Sequence, residues 1–520
     1  MTHFSGASFP PRHRPEDRER VGAIGSQSFL FLKKELPTAP IATHGEELPR
    51  FTLKDFTRLA DDSPLPKTKP KGYDARDLED RLIMNRRTTH LLPTIALVTA
   101  GLTATALLSD TWPAFRGASG DGVSSEQGLP TEWSGTKNVL WTLDLPGRGN
   151  SSPAVTSDRV YLTVKGDQGH LRVVAVDAEL GNVLWNVKLG DGSLKTFGPE
   201  SLWKPRHNAA TPSPTADENN VWAKFGTGDL VCLDRDGNLV WRRNLVKDFG
   251  QYTVRFGMAT SPRVWHGLLI DACIHKGPDD SYIVAIDKLT GKDVWRTARP
   301  FSADHDAPDG YSSPVLLDTG TRVELVVAGS DHVDAYNPET GKRLWVSGGL
   351  KIDGEYGRII SSPAISREVI VACTAHPPNA GDARAIAVRP GGSGDVTESN
   401  RLWTYPKESP DCATPVCYGD YVYMVRDNTG VGSCVNLKTG QLQWKKRLHE
   451  GTFRSATVAG DGKVYFLNKE GVCVVVKAGP EGKVLAKNSL KGTFFATPAI
   501  SKGVIYFRSF RRLYAVGSRR

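Results

Sequence analysis

The 520-residue sequence is poor in the features that announce most enzymes and metal proteins. Its seven cysteines are Cys232, Cys273, Cys373, Cys412, Cys417, Cys434 and Cys473. They form no Cys-x-x-Cys pair, no Cys/His zinc spacing and no haem-attachment motif. An odd number excludes a complete disulfide framework. Most lie in apolar strand contexts such as Val231-Cys232-Leu233, where a thiol serves as a small buried hydrophobe. Cys412 and Cys417 are the pair to inspect for a bond. No P-loop, no Gly-x-Ser-x-Gly elbow and no kinase glycine loop occurs. Long runs of one charge are missing too. Net charge is +9, from 66 basic and 57 acidic residues. The first 90 residues hold 16 basic and 13 acidic of these, which leaves a mild, unclustered excess of 50 over 44 in the rest. That is no footprint for nucleic acid.

Only one long apolar run exists, Leu91 to Leu108. Met84-Asn85-Arg86-Arg87 precedes it, and Ala104-Thr105-Ala106 supplies small residues for cleavage. A basic start, an apolar stretch and an A-x-A site make a secretory signal peptide. We therefore expect residues 84–106 to be the signal and Met84 the initiator. Residues 1–83, with mixed charge and no periodicity, are then a poorly structured extension of the reading frame. The alternative is a signal anchor, in which case the uncleaved segment is the only membrane contact. No cysteine stands at the cleavage site, so a lipoprotein is not expected. The implied address is exported, periplasmic or cell-surface. Residues 107–136 form a lead-in.

What the sequence has in quantity is glycine (52), proline (33) and a recurring unit. Val176-Asp177 leads to Gly181 and Trp185, Leu233-Asp234 to Gly237 and Trp241, and Ile286-Asp287 to Gly291 and Trp295. Tyr336-Asn337 leads to Gly341 and Trp345, and Val435-Asn436 to Gly440 and Trp444. Trp403 closes a sixth unit with an expanded turn, Pro390 to Asp395. An apolar strand ending in Asp or Asn caps the next turn, and Gly takes the positive-φ position that closes it. Each unit opens on a second signature: Ser152, Ser213, Ser261, Ser313, Ser362, Thr414 and Thr497, each followed by Pro. Ala456 holds that place in the seventh unit, without Pro.

Four strands per unit at a period of 40–60 residues, counted eight times, predict an all-β fold. It is an eight-bladed β-propeller of four-stranded antiparallel blades over 137–520. The last unit supplies only three strands. The N-terminal strand around Trp141 is expected to complete it and close the ring. Ala486 stands where the seventh unit should carry Trp, so the contact between blades seven and eight is expected to be the least regular.

These residues resemble the PQQ-like, or quinoprotein-type, repeat, in which the Trp docks between blades. That assigns docking to Trp141, Trp185, Trp241, Trp295, Trp345, Trp403 and Trp444. The order of features, including Trp112-Pro113-x-Phe115-Arg116-Gly117 and Asp427-Asn428-x-Gly430, is similar to secreted propellers of planctomycete-type bacteria. More distant relatives are quinoprotein alcohol dehydrogenases and the lipoprotein scaffold of the outer-membrane β-barrel assembly machinery. The dehydrogenases imply pyrroloquinoline quinone (PQQ) with calcium, a catalytic Asp and a vicinal Cys-Cys disulfide. This chain has no adjacent cysteines and no dense acidic calcium loop. Asp427-Asn428 is read as a turn, and Asp304-His305-Asp306 as a solvated loop. No catalytic residue, metal site or cofactor is therefore assigned.

Residues just before each opening signature should ring the channel mouth. The candidates are Arg148, His207, Arg255, Tyr311, Arg358, Asp411 and Arg454, with Asn150, Arg206 and Phe256 beside them. Such a lining suits a polar or anionic ligand, or a protein partner, at one propeller face. The competing reading pairs these arginines with Asp neighbours to close the mouth. The insertion Leu189 to Asn208, carrying Trp203, is a second candidate contact. The function expected is a non-catalytic scaffold or ligand-binding protein of the cell envelope. The alternative is a PQQ-dependent oxidoreductase with an atypical site.

Overall fold

The computed structural model describes residues 111–518, apart from 195, 197–203, 205, 276–280, 306, 353–356, 376–382 and 407–408. The expected extension 1–83 and the expected signal segment 84–106 lie outside the described residues.

Eight antiparallel four-stranded blades follow one another along the chain, two of them with a fifth, parallel strand, and with one five-residue helix, Leu245–Phe249 (α1), among the described residues. The middle strands read as near-continuous apolar runs because a neighbouring blade covers each of their faces. Tyr421–Val425 and Lys463–Leu467 are buried at every position but the first. The outermost strands alternate instead, since only one face is covered, as in Leu442–Arg447. Blade eight holds Ala499–Ser501, Val504–Arg508 and Arg512–Val516, and its fourth strand is the N-terminal Val139–Asp144. Trp141 pairs with Ala515 and Leu143 with Leu513. No open sheet edge is left at the junction.

The Gly-to-Trp spacing has a second physical reason besides the turn. Six of the seven docking Trp lie on the glycine of the following blade. A Cβ on Gly181 would fall 2.5 Å from the Trp141 ring, on Gly291 2.7 Å from Trp241, and on Gly440 2.7 Å from Trp403. The indole nitrogen donates to a carbonyl of the same turn: Trp141 to Ala178 at 3.1 Å, Trp185 to Arg235 at 2.8 Å, Trp241 to Lys288 at 3.0 Å. Trp295 (to Pro338), Trp403 (to Leu437) and Trp444 (to Gly479) repeat the contact. So glycine meets two demands, positive φ and a Trp face pressed on its Cα.

Trp345 departs from the docking expected of it. Its indole donates to Glu324 of its own blade at 2.9 Å. The expanded turn of the next unit explains this. Gly391 has no neighbour where a Cβ would go, and its amide donates to the same Glu324 carboxylate at 3.2 Å. Gly394–Asp395 then pairs in parallel with Trp345–Val346. A carboxylate therefore relays the contact between blades four and five.

The opening signature forms a closed circuit around the axis. The amide of Ser152 donates to the Ser213 hydroxyl at 2.8 Å, Ser213 to Ser261 at 2.9 Å, and Ser261 to Ser313 at 3.0 Å. Ser313 donates to Ser362, Ser362 to Thr414, Ala456 to Thr497, and Thr497 back to Ser152. Seven buried hydroxyls thus bind blade to blade, each such bond worth roughly 1 kcal/mol. The circuit breaks once, where Ala456 offers no oxygen to the amide of Thr414. Ala456→Ser should close it and raise stability by about 1 kcal/mol. An unchanged denaturant midpoint would refute that.

The lead-in belongs to the propeller. Residues 112–124 cross the end of the axis where the first strands finish. Trp112 bridges to Val155 of blade one, Pro113 accepts from Ala216 of blade two, and Ser119 accepts from Leu316 of blade four. Gly122 accepts from Ala459, and Val123–Ser124 adds a parallel strand to blade seven. Two wholly buried arginines lock this strap. Arg116 reaches the Pro415 carbonyl of blade six at 2.5 Å. Arg263 of blade three gathers the carbonyls of Phe115, Gly117 and Ala118. Burial pulls both guanidinium groups down to about 10.

Candidate functional site

A cavity of about 550 Å³ lies on the axis. All eight positions of the opening signature line it, from Ser152 round to Thr497 with Ala456 among them. Phe115 of the strap contributes to the lining from the far end. The opposite end carries the residues that precede each signature, so the cavity is a funnel with a mouth and a stopper.

Six of the seven mouth candidates line this funnel: His207, Arg255, Tyr311, Arg358, Asp411 and Arg454. Arg148 does not. Its backbone bridges to Lys165 in the second strand of its own blade, and its guanidinium stacks 3.9 Å from the centre of the Phe510 ring. That bridge holds the segment away from the axis until Asn150, which does line the funnel. The insertion delivers Arg206 and His207 to the lining, while Trp203 lies outside the described residues.

The wall over blades two to four is knitted together. The amide of Arg255 donates to Asp309 at 2.7 Å, and that of Phe256 to the Tyr311 hydroxyl at 3.2 Å. The Arg358 guanidinium lies 5.1 Å from the Phe256 ring centre. The wall over blades five to seven is an ion cluster. Arg454 stands 3.2 Å from Asp411, 3.6 Å from Asp427 and 2.9 Å from the Cys412 sulfur. It also donates to Asn428. Here the reading that pairs arginine with aspartate holds.

Asp427 is more than a turn residue. Its buried carboxylate accepts the amides of Asp411, Cys412 and Ala413, which shapes the whole corner. Burial lifts this carboxyl to about 6, against the pull of Arg454. Cys412 and Cys417 are both free thiols, so the bond considered for them is not formed. Burial pushes the Cys412 thiol far up, which leaves it a poor nucleophile. Asp304 pairs with Lys351 on an exposed loop, at 2.7 Å, as a solvated segment would.

Asp411, Cys412 and Asp427 bring three ligand atoms within 4.8 Å of one another, and they are the sole such group among the described residues. They do not fit the calcium that the quinoprotein resemblance implies. Calcium wants six or more oxygens, and here one of three ligands is a thiol. The Arg454 guanidinium already stands where the positive charge would go.

Two histidines carry a pH signature. Burial and Arg148 pull His207 down to about 4, and burial with Lys224 pulls His275 to the same value. Both are neutral in the fold and would charge on unfolding near 6.5. Their folded pKa values are depressed, so acid binds preferentially to the unfolded chain. Stability should fall as pH drops from about 6.5 towards 4. His275→Gln should flatten part of that slope in urea titrations at pH 7.5 and 5.0, whereas parallel slopes would exclude this origin.

Residues 122–309 and 279–472 match the family described as outer membrane protein assembly factor BamB. The chain belongs to this family of PQQ-like repeat propellers. Over 118 residues it is 32% identical to outer membrane protein assembly factor BamB of Burkholderia pseudomallei (strain K96243), a match covering 22% of this chain and 29% of that relative. The chain therefore spans under a third of that relative's length. Among solved structures, BamB from Moraxella catarrhalis superposes with a TM-score of 0.52 at 14% identity, over 73% of this chain and 99% of that one. Quinohemoprotein alcohol dehydrogenase from Comamonas testosteroni gives 0.56 at 14% identity, over 79% and 81%. At such identities these likenesses concern the fold alone.

The signature hydroxyls line the cavity beside the mouth candidates. Their recurrence in register at seven of eight openings is the sequence signal that places them together. Cys412, Asn428 and Phe495 also line the cavity, and no pattern in the sequence marks them as lining.

Proposed function

We propose that the protein is an exported, non-catalytic scaffold of the bacterial cell envelope that holds a protein partner at its funnel mouth. The BamB-family match across 122–472 carries this reading. The chemistry of the funnel supports it. His207 is held neutral, the Cys412 thiol is held protonated, and Asp427 is committed to three amides. None of these is poised as a base or nucleophile. What the lining offers is directional donors, fixed charge and aromatic faces, which suit recognition.

The test is affinity capture from envelope extracts with the mature protein and with its Arg255→Ala, Arg358→Ala double variant, folding being checked by circular dichroism. The expected result is a partner retained by the first and lost by the second. An identical captured set would exclude the funnel mouth as the contact. Saturable PQQ binding in the presence of calcium, with dye-linked alcohol or sugar oxidation, would overturn the non-catalytic reading. Sequencing of the mature N-terminus tests export, with a start near Leu107 expected.

A further inference from the structure

We infer that the funnel is an oxyanion site, built to take a carboxylate or phosphate carried by an acceptor-rich ligand. This rests on the funnel being the contact face proposed above, and it adds what enters there.

The case starts from the hydroxyl circuit. A hydroxyl has one hydrogen to donate and two lone pairs to accept with. Ser152, Ser213, Ser261, Ser313, Ser362, Thr414 and Thr497 each spend accepting capacity on a neighbour's amide. Each keeps its own hydrogen, which must turn away from the incoming N–H. Among the described residues, no carbonyl or carboxylate accepts from any of the seven. All seven are at least 95% buried and line the cavity. Among the described residues, the funnel therefore carries, round its axis, a ring of donors left for whatever fills it.

The layer nearer the mouth has the same bias. Arg206, Arg255, Arg358 and Arg454 line it, and Asp411, already in contact with Arg454, is the one carboxylate among the described lining residues. Phe115, Phe256, Ile360 and Phe495 supply apolar wall, which lowers the local dielectric and strengthens attraction to a negative group. A cationic or donor-rich ligand would meet mismatched groups at both levels. A carboxylate or phosphate brings two or three acceptors and the matching charge.

The experiment is calorimetric titration of the mature protein with citrate and, separately, inorganic phosphate, at ionic strength held constant with sodium chloride. Saturable one-to-one binding of at least one anion is expected. The Arg255→Gln, Arg358→Gln double variant should weaken it at least tenfold, while Lys438→Gln on the outer rim should leave it unchanged. Should the double variant fail to fold, Ala456→Ser is the second probe. It adds an eighth hydroxyl to the ring and should tighten binding at least twofold. Binding of citrate alone assigns a carboxylate, and of phosphate alone a phosphoryl group; either supports the site. No saturable binding, or equal affinity in the variants, overturns it. An anion that binds without displacing a captured partner keeps this site and removes the mouth as the scaffold contact. A partner that needs Arg255 and Arg358 while no anion binds does the reverse.

Discussion

Trp133→Ala should cost about 3–5 kcal/mol, a loss of the size seen when a large aromatic is deleted from a packed interior. The residue sits outside the repeat, in the lead-in, yet it is almost wholly buried. Its ring stacks on Tyr465 of blade seven at 6.4 Å and leans on Phe507 of blade eight at 5.3 Å. In blades one, six and eight that Tyr position meets the blade's own docking Trp, as Tyr161 meets Trp185, Tyr423 meets Trp444 and Tyr506 meets Trp141. Blade seven has Ala486 on its outer strand instead. Trp133 therefore fills the seat that its blade leaves empty. The chain on either side is tied down to match. The amide of Trp133 donates to Asn488 at 2.9 Å, Asn488 returns a bond to the Thr131 carbonyl, and Tyr465 donates to Pro130. The indole nitrogen is buried with no hydrogen-bond partner. Trp133→Phe should then cost under about 1 kcal/mol, because it removes an unsatisfied donor along with some contact area. Denaturant unfolding of the two variants reads the difference. Equal losses would mean that the ring is not what fills the seam.

This repair shows where sequence patterning reaches and where it stops. The eight blades are legible because each restates the same demands: an apolar strand, an Asp or Asn cap, a glycine, a Trp four residues on. The absence at Ala486 is equally legible. Its remedy is not, since Trp133 reaches blade seven from more than 300 positions upstream, out of any repeat. The strap was hidden for a related reason. Residues 112–124 hold the far end of the funnel chiefly through backbone carbonyls and amides, which no side-chain pattern records. Arg116 and Arg263 mark its course, but an arginine in a sequence does not say that it will be buried on carbonyls. Arg148 fails as a mouth residue through geometry as well. It stands two residues before Asn150, and one extra bridge to Lys165 turns it off the axis. Residue type along the mouth is legible in the sequence; which charges face inward depends on loop paths.

Gly181→Ala is the other change expected to have a large effect, about 2–5 kcal/mol, and a second glycine shows why. Gly181 has φ of +76° and Gly391 has φ of +88°. At both, an L-residue pays the left-handed penalty, on the order of 1–2 kcal/mol. They differ in what lies above. An added methyl on Gly391 meets nothing within 4 Å, whereas on Gly181 it falls 2.5 Å from the Trp141 ring. Trp141 belongs to the strand that completes blade eight, so the displaced ring opens the junction between the first and last blades. Overpacking there adds roughly 1–3 kcal/mol. Gly391→Ala should thus show the conformational cost alone, and the excess in Gly181→Ala measures the docking. If the two cost the same, Trp141 is not pressed on that turn. The two contributions can also be separated within one site. Trp141→Phe should relieve part of the clash, so the Gly181→Ala, Trp141→Phe double variant should lose less than the sum of its parts. Strict additivity would place the defect in the turn and clear the ring-closing contact of any share in it.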